Sequence, residues 1–310
     1  ACPTPTRAMQ AGFLKKEAVV TAIAAEALEA KFELCLSECA ALRSKPAAEE
    51  EPYVHRYEER DSLQQMLKQA AANAAVDPDG ADAARARVID GVLECWLGIN
   101  FMDTEEPGSG QAHLERAIEA LEVQKAPAEA VRLLDALNHL GILWANRGES
   151  EKSLERLEAG EALHMSLRGG SGVAALREGE EQLEDLHTLT CFYLAQAHGN
   201  LGSRERSASY CHRTMIRQLA RRGGSAQGEH AFQPSEWAKN AQQIAAYYAS
   251  GARFDWAEHC LRAAAAVLAE DRRRTAASGV KPPAPADPAS RTYFGGKQEW
   301  TTLQGEAEGK

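Results

Sequence analysis

This 310-residue sequence is poor in aromatic residues, at 6%, and has no surplus of positive charge: 35 Lys and Arg stand against 45 Asp and Glu, a net charge of −10. A general nucleic-acid binder needs a basic footprint to displace phosphate counterions, so that class is excluded. A membrane-spanning helix needs about 20 consecutive apolar residues. The most apolar-looking stretch, Glu17–Ala30, is broken by Glu17, Glu26 and Glu29, so no membrane association is expected. A charged segment, an apolar segment and a small-residue cleavage site do not occur in that order, so no signal peptide is expected. The chain opens on Ala1 rather than Met, as a start inside a longer gene product would. No stretch alternates apolar and polar residues with β-branched ones, and no sheet is expected. The seven cysteines, at 2, 35, 39, 95, 191, 211 and 260, follow no disulfide spacing and fit a reducing, cytoplasmic setting.

What is present is helical. Apolar residues make up 44% of the chain, enough for a core. Leu28, Phe32, Cys35, Leu36 and Cys39 recur at three- and four-residue steps, one face of a helix. A Pro-flanked acidic break at Lys45–Pro52 precedes a second helix over Pro52–Ala74, and Asp77–Gly80 is a turn. Helix pairs follow: Ala81–Met102 with Gly110–Val123, Ala128–Asn146 with Ser150–Leu167, Glu180–Leu201 with Arg204–Arg221, and Pro234–Ser250 with Asp255–Asp271. Gly169–Gly172 and Gly223–Gly228 read as loops. Lys281–Pro288 cannot be helical, because proline lacks the N–H and clashes with the preceding turn. Three regions result: N-terminal helices over 1–76, four helix pairs over 81–274, and an extended tail over 275–310 carrying Tyr293, Phe294 and Trp300.

The pairs are self-similar. Leu97-Gly98-x-x-Phe101 is followed by Gly110 and Ala117, and Leu140-Gly141-x-x-Trp144 by Ser153 and Gly160. Leu194-Ala195-x-x-His198 is followed by Ser207 and Thr214, and Ile244-Ala245-x-x-Tyr248 by Ala257 and Ala264. The offsets are those of the tetratricopeptide (TPR) pattern, in which small residues let two helices approach and an aromatic fills the space between them. Gly148 and Gly202 each fall seven residues after the small residue of the first helix, where the turn needs a permissive backbone. The expected fold is therefore all-α: a TPR-like right-handed α-solenoid of helical hairpins whose first helices line a concave groove. Repeat position assigns to that groove Val92, Cys95, Ile99, Met102 and Asp103; Asp135, Asn138, Ile142, Ala145 and Asn146; Leu189, Phe192, Gln196, Gly199 and Asn200; and Lys239, Gln242, Ala246 and Ser250.

Several segments go beyond what TPR packing demands. They are Lys31-Phe-Glu-Leu-Cys-Leu-Ser leading to Glu51-Pro-Tyr-Val-His-Arg-Tyr57, Leu97-Gly-Ile-Asn-Phe-Met-Asp-Thr-Glu-Glu106 and Asn138-His-Leu-Gly-Ile-Leu-Trp144. Tyr193-Leu-Ala-Gln196, Tyr210-Cys-His-Arg-Thr-Met-Ile-Arg-Gln-Leu219 and Pro234-Ser-Glu-Trp-Ala-Lys-Asn240 follow in order. Over residues 30–270 the chain resembles the KIF-binding protein family, whose members bind kinesin motor domains. The resemblance implies a non-enzymatic adaptor that grips a kinesin motor domain on its concave face and keeps it from the microtubule. It also implies motor contacts at Tyr193, Gln196 and Gln218. Family members carry a second TPR half after a linker, and this chain stops near the end of the first. The alternative is a structural microtubule or ciliary (axonemal) component that uses the solenoid as a scaffold. Either role places the chain in the cytoplasm on the cytoskeleton, or in a cilium or flagellum, with microtubules or axonemal proteins as further partners.

Other chemistry is weak. Cys211-His212 and His259-Cys260 are adjacent pairs whose side chains point about 100° apart on a helix, so neither converges on one ion. Cys35 and Cys39 read as core thiols. No nucleophile sits beside an orienting base, and Gly169-Gly-Ser-Gly172 lacks the Lys and strand context of a phosphate loop. No catalytic residue, cofactor or metal is expected. A carboxylate-gripping TPR clamp would need cations where this chain has Cys95, Ile99, His139, Leu189 and Tyr193. The acidic runs Glu49–Glu51 and Glu178–Glu184 read as solvated helix ends, and Arg272–Arg274 as the end of the last helix.

Overall fold

The computed structural model describes residues 21–124, 127–168, 174, 176, 179–220 and 232–278. Its elements are α1 (Ala25–Arg43), α2 (Val54–Ala74), α3 (Ala81–Asp103), α4 (Pro107–Gln124), a 3-10 turn at Pro127–Glu129, α5 (Ala130–Asn146), α6 (Ser150–Arg168), α7 (Gly179–Asn200), α8 (Arg204–Ala220), α9 (Pro234–Ser250) and α10 (Phe254–Ser278). There is no strand among the described residues. None of the described helices is long and apolar enough to cross a membrane. Helices α1–α8 form one compact unit and α9–α10 a second.

Two boundaries differ from the sequence reading for physical reasons. Helix α4 starts at Pro107, not Gly110, because proline fits the first helical position, whose N–H has no partner anyway. Helix α10 runs to Ser278, so Arg272–Arg274 do not end it and Thr275–Ser278 are not tail. Pairing one turn apart carries it on: Arg274 donates to Glu270 at 2.6 Å, and Arg273 to the Ala269 carbonyl at 3.2 Å. The expected Gly/Ser loops at 169–172 and 223–228, and the tail with Tyr293, Phe294 and Trp300, lie outside the described residues.

Within the first unit, α3–α4, α5–α6 and α7–α8 are antiparallel hairpins, and α5 packs against both α3 and α7. The small residues sit at the crossings. A Cβ on Gly98 would lie 2.6 Å from Leu114 Cγ, and one on Gly141 2.7 Å from Leu157 Cγ. Both leucines are fully buried, as are Ala117 and Ser153. Only glycine allows these approaches.

All four hairpins close with one turn. The backbone N–H of Glu106, Glu149, Ser203 and Arg253 donates to the carbonyl of Phe101, Trp144, His198 and Tyr248 respectively, at 2.8–2.9 Å. The residue before each donor is left-handed: Glu105 (φ 62°), Gly148 (φ 77°), Gly202 (φ 75°) and Ala252 (φ 56°). This is a Schellman ending, for which glycine carries no Cβ penalty. Two of the four turns use a residue that pays it. Ala252→Gly is therefore expected to stabilise the α9–α10 pair by about 0.5–1 kcal/mol. A raised thermal midpoint with unchanged helicity checks this.

Helices α1 and α2 share a hydrophobic cluster with α3, built from Leu28, Phe32, Cys35 and Cys39, Leu63, Met66 and Ala70, and Ile89, Val92, Leu93 and Leu97. Polar contacts fix the α2–α3 register. Arg60 donates to Asn100 Oδ1 (3.0 Å), Thr104 Oγ1 (2.5 Å) and Glu106 (2.8 Å), and Arg56 pairs with Asp103 at 3.3 Å. The Asp103-Thr-Glu-Glu106 segment, which TPR packing leaves unexplained, is thus tied to Arg56 and Arg60 of α2.

The α3–α4 hairpin carries an unfavourable carboxylate. Burial, and then neighbouring Glu94, raise Asp90 to about 6, against opposition from Arg116. The folded chain binds the proton more tightly than the unfolded one, so stability falls as pH rises from about 3.8 to about 6. Asp90→Asn is expected to stabilise the protein by about 1–2 kcal/mol at pH 7, after allowance for screening of the partly exposed group, and by little below pH ~4. Urea unfolding at both pH values checks it.

Candidate partner-binding face

The first helices α3, α5 and α7 place equivalent repeat positions side by side, so each register position has a definable environment. Three residues before the small residue stand Cys95 and Asn138. The Cys95 thiol donates to the Arg132 carbonyl of α5 at 3.5 Å. The Asn138 amide donates to the Leu186 carbonyl of α7 at 2.9 Å and accepts from Thr190 Oγ1 at 2.8 Å. This position points at the next first helix, not at an open face. Asn138 is fully buried and is corrected from a partner-binding residue to an interhelical clamp. Val92, Cys95, Ile99 and Asp135 are also buried, so they too leave the expected groove lining. Val92 joins the α1–α2 cluster, and Ile99 packs with Ala136 and Leu140 of α5.

Two residues before the small residue stand Trp96, His139 and Tyr193, all half-buried. Trp96 and His139 are not among the partner contacts read from the sequence, although the repeat register sets them level with Tyr193. Arg43 and Arg132 lie over the Trp96 ring, 3.8 and 4.8 Å from its centroid. The His139 Nδ1 sits 2.9 Å from the Asp135 carbonyl and 3.0 Å from its carboxylate. Burial works against a charged His139, but the Asp135 carboxylate outweighs it and raises the imidazole pKa. Arg132 bonds the same carboxylate at 2.9 Å. Asp135 is held below the usual carboxylate range: burial pushes upward, and His139, Arg132 and Arg43 together prevail. The charges around α3 and α5 are thus matched locally.

Helix α7 differs. Leu189, Phe192 and Tyr193 are half-buried, and Gln196 and Asn200 exposed, at spacings that place them along one side of the helix. The Phe192 and Tyr193 rings meet edge to face at 5.2 Å. The result is an uncharged stripe of apolar, aromatic and amide groups, the chemistry of interface anchors. Gln218 is exposed, but on α8. Its neighbour Arg217 bonds Thr188 at 2.9 Å, which sets Gln218 about 12 Å along the α7 axis from Gln196 at about 1.5 Å per residue. It does not join the Tyr193–Gln196 pair. In the second unit, Gln242 is exposed on α9, and Lys239 is half-buried and paired with Glu236 at 2.5 Å. Cys211 and Cys260 are free thiols. Burial raises both, which suits packing rather than reactivity.

Helical hairpins with small residues at every crossing and one shared turn geometry define a TPR-like helical-repeat protein. No protein-family model matches the sequence. Among curated proteins, the chain is 34% identical to KIF-binding protein of Gallus gallus over 246 residues, covering 74% of this chain and 39% of that protein. It is 32% identical to KIF-binding protein of Danio rerio over 281 residues, 76% of this chain and 43% of that one. A solved structure of kinesin binding protein matches with a TM-score of 0.57 at 28% identity, covering 80% of this chain and 48% of that one. The chain is a relative of the KIF-binding proteins and spans about two fifths of the length of those it matches.

Proposed function

We propose that the chain is a non-enzymatic adaptor that binds a kinesin motor domain through the first-helix face and limits the motor's access to microtubules. The observation that carries this reading is the 34% identity to KIF-binding protein over 246 residues, a stretch as long as the described repeats. The α7 stripe of Tyr193, Gln196 and Asn200 offers the contact chemistry of the first unit, Gln218 on α8 a separate contact, and Lys239 and Gln242 on α9 contacts of the second unit by itself. A motor surface that engages acidic tubulin is basic, and a chain of net charge −10 is steered toward it. Because the first-helix charges near α3 and α5 are paired among themselves, steering acts on the rate of encounter, while the uncharged stripe supplies contact. The role places the chain in the cytoplasm on the cytoskeleton.

The test is microtubule co-pelleting of purified kinesin motor domains with increasing amounts of the chain. Motor moving to the supernatant in complex with the chain is the expected result. A chain that pellets with microtubules and leaves the motor bound would instead make it a structural microtubule component.

A further inference from the structure

Of the acidic run Glu178–Glu184, Glu184 is not a solvated helix end. Its side chain is 22% exposed and points between α6, α7 and α8. Glu184, His187 and Cys191 recur at steps of three and four along one face of α7. His164 comes from α6, 23 residues upstream of His187, so no local motif announces the group. His164 Nε2 lies 2.9 Å from Glu184 Oε1. The His187 Nε2 lies 3.6 Å from Cys191 Sγ, and the two imidazoles stack with centroids 3.5 Å apart. His164 and His187 are 6% and 2% exposed. The Nδ1 atom of each is buried without a hydrogen-bond partner. Buried polar atoms are ordinarily paired, and two orphaned imidazole nitrogens in one place point to a missing ligand.

We propose that His164, His187 and Glu184 form a three-ligand binding site for a divalent transition metal of the zinc class, with the fourth position left to water or an exogenous ligand. Ligand atoms of His164, Glu184 and His187 already lie within 4.8 Å of one another. Zinc–nitrogen bonds of about 2.0–2.1 Å at tetrahedral angles need donors about 3.3 Å apart. The stacked rings have near-parallel lone pairs, so closure requires one imidazole to turn about its Cβ–Cγ bond and the donors to draw in by up to about 1.5 Å. Two imidazole nitrogens beside one carboxylate favour zinc over magnesium or calcium.

Outer contacts are in place. Arg217 bonds the other Glu184 oxygen, and so orients the carboxylate. Arg168 reaches Oε1 at 3.2 Å but also pairs with Glu180, and Arg213 pairs with Glu161 at 2.7 Å. Arg168 and Arg213 are thus matched by Glu180 and Glu161, while Arg217 shares Glu184 with the site.

Cobalt(II) titration of the chelator-treated chain tests this. The expected result is a visible absorption band of tetrahedral intensity saturating at one equivalent and displaced by zinc. His164→Ala and His187→Ala should abolish saturation, while Cys35→Ser leaves it intact. Should the alanine variants lose helicity, zinc titration of the wild-type chain followed by histidine-ring nitrogen NMR serves the same purpose: the His164 and His187 nitrogens should shift and the other histidines should not. No saturable band in the wild-type chain, a band that survives in folded His187→Ala, or shifts confined to other histidines would overturn the proposal.

Discussion

Glu59→Leu is expected to lower the unfolding free energy by about 3–5 kcal/mol. Glu59 is fully buried at the junction of α1, α2 and α3. It accepts from Arg43 at 2.6 Å, Arg56 at 3.1 Å and Asn100 at 3.1 Å. Arg56 retains Asp103, and Asn100 retains the Arg56 carbonyl and Arg60. Among the described residues, Arg43 keeps the Trp96 ring beneath it and the more distant charges of Asp103 and Asp135. Burial already lowers the Arg43 pKa despite Glu59, so losing the carboxylate strands a half-buried cation. The loss therefore comes from the orphaned partner more than from the missing contact, and the double variant Glu59→Leu/Arg43→Met should recover more than half of it. Urea unfolding by circular dichroism measures both. A double variant as unstable as the single one would place the cost elsewhere.

Gly98→Val is expected to cost about 3 kcal/mol. A Cβ at Gly98 lies 2.6 Å from Leu114 Cγ, 2.8 Å from its Cδ2 and 3.1 Å from its backbone nitrogen. The leucine tip could turn, but the backbone nitrogen belongs to α4 and cannot move without separating the hairpin. Gly98→Ala should cost less, because relief from glycine's poor helix propensity, about 1 kcal/mol, offsets part of the clash. The test of mechanism is non-additivity. Leu114→Ala alone leaves a cavity and costs about 2–5 kcal/mol. Combined with Gly98→Val, the valine methyls occupy part of that space, and the pair should be more stable than the sum by at least about 1 kcal/mol. Strict additivity would show that the close approach at Gly98 is not what limits the site.

The repeat was readable from sequence because its cause is local and recurrent. Gly98 and Gly141, Ala117 and Ser153 occupy fixed offsets, and close approach tolerates only small side chains there. The left-handed turn was half readable: Gly148 and Gly202 announce it, whereas Glu105 and Ala252 adopt the same φ without a compositional sign. The inner face was less legible. Repeat register says which residues leave a helix on a given side, but not whether a neighbouring helix already stands there. That is why Asn138 reads as a contact residue and proves to be bonded to α7. The His164–Glu184–His187 group was invisible for a different reason. Its members come from two helices, and an acidic run beside a Gly-rich segment looks like solvated surface until tertiary packing turns Glu184 inward.

The kinesin-binding reading meets its most direct test in the affinity of a kinesin motor domain for the chain, measured by isothermal titration calorimetry with wild type, Tyr193→Ala, Gln196→Ala and, on the exposed side of α8, Ser209→Ala. The account predicts saturable binding by the wild-type chain and about tenfold weaker binding, about 1.4 kcal/mol, for each α7 variant at unchanged helicity. Ser209→Ala should match wild type. Wild-type affinity in both α7 variants would contradict the assigned face, and absence of motor binding by the intact chain would contradict the function itself.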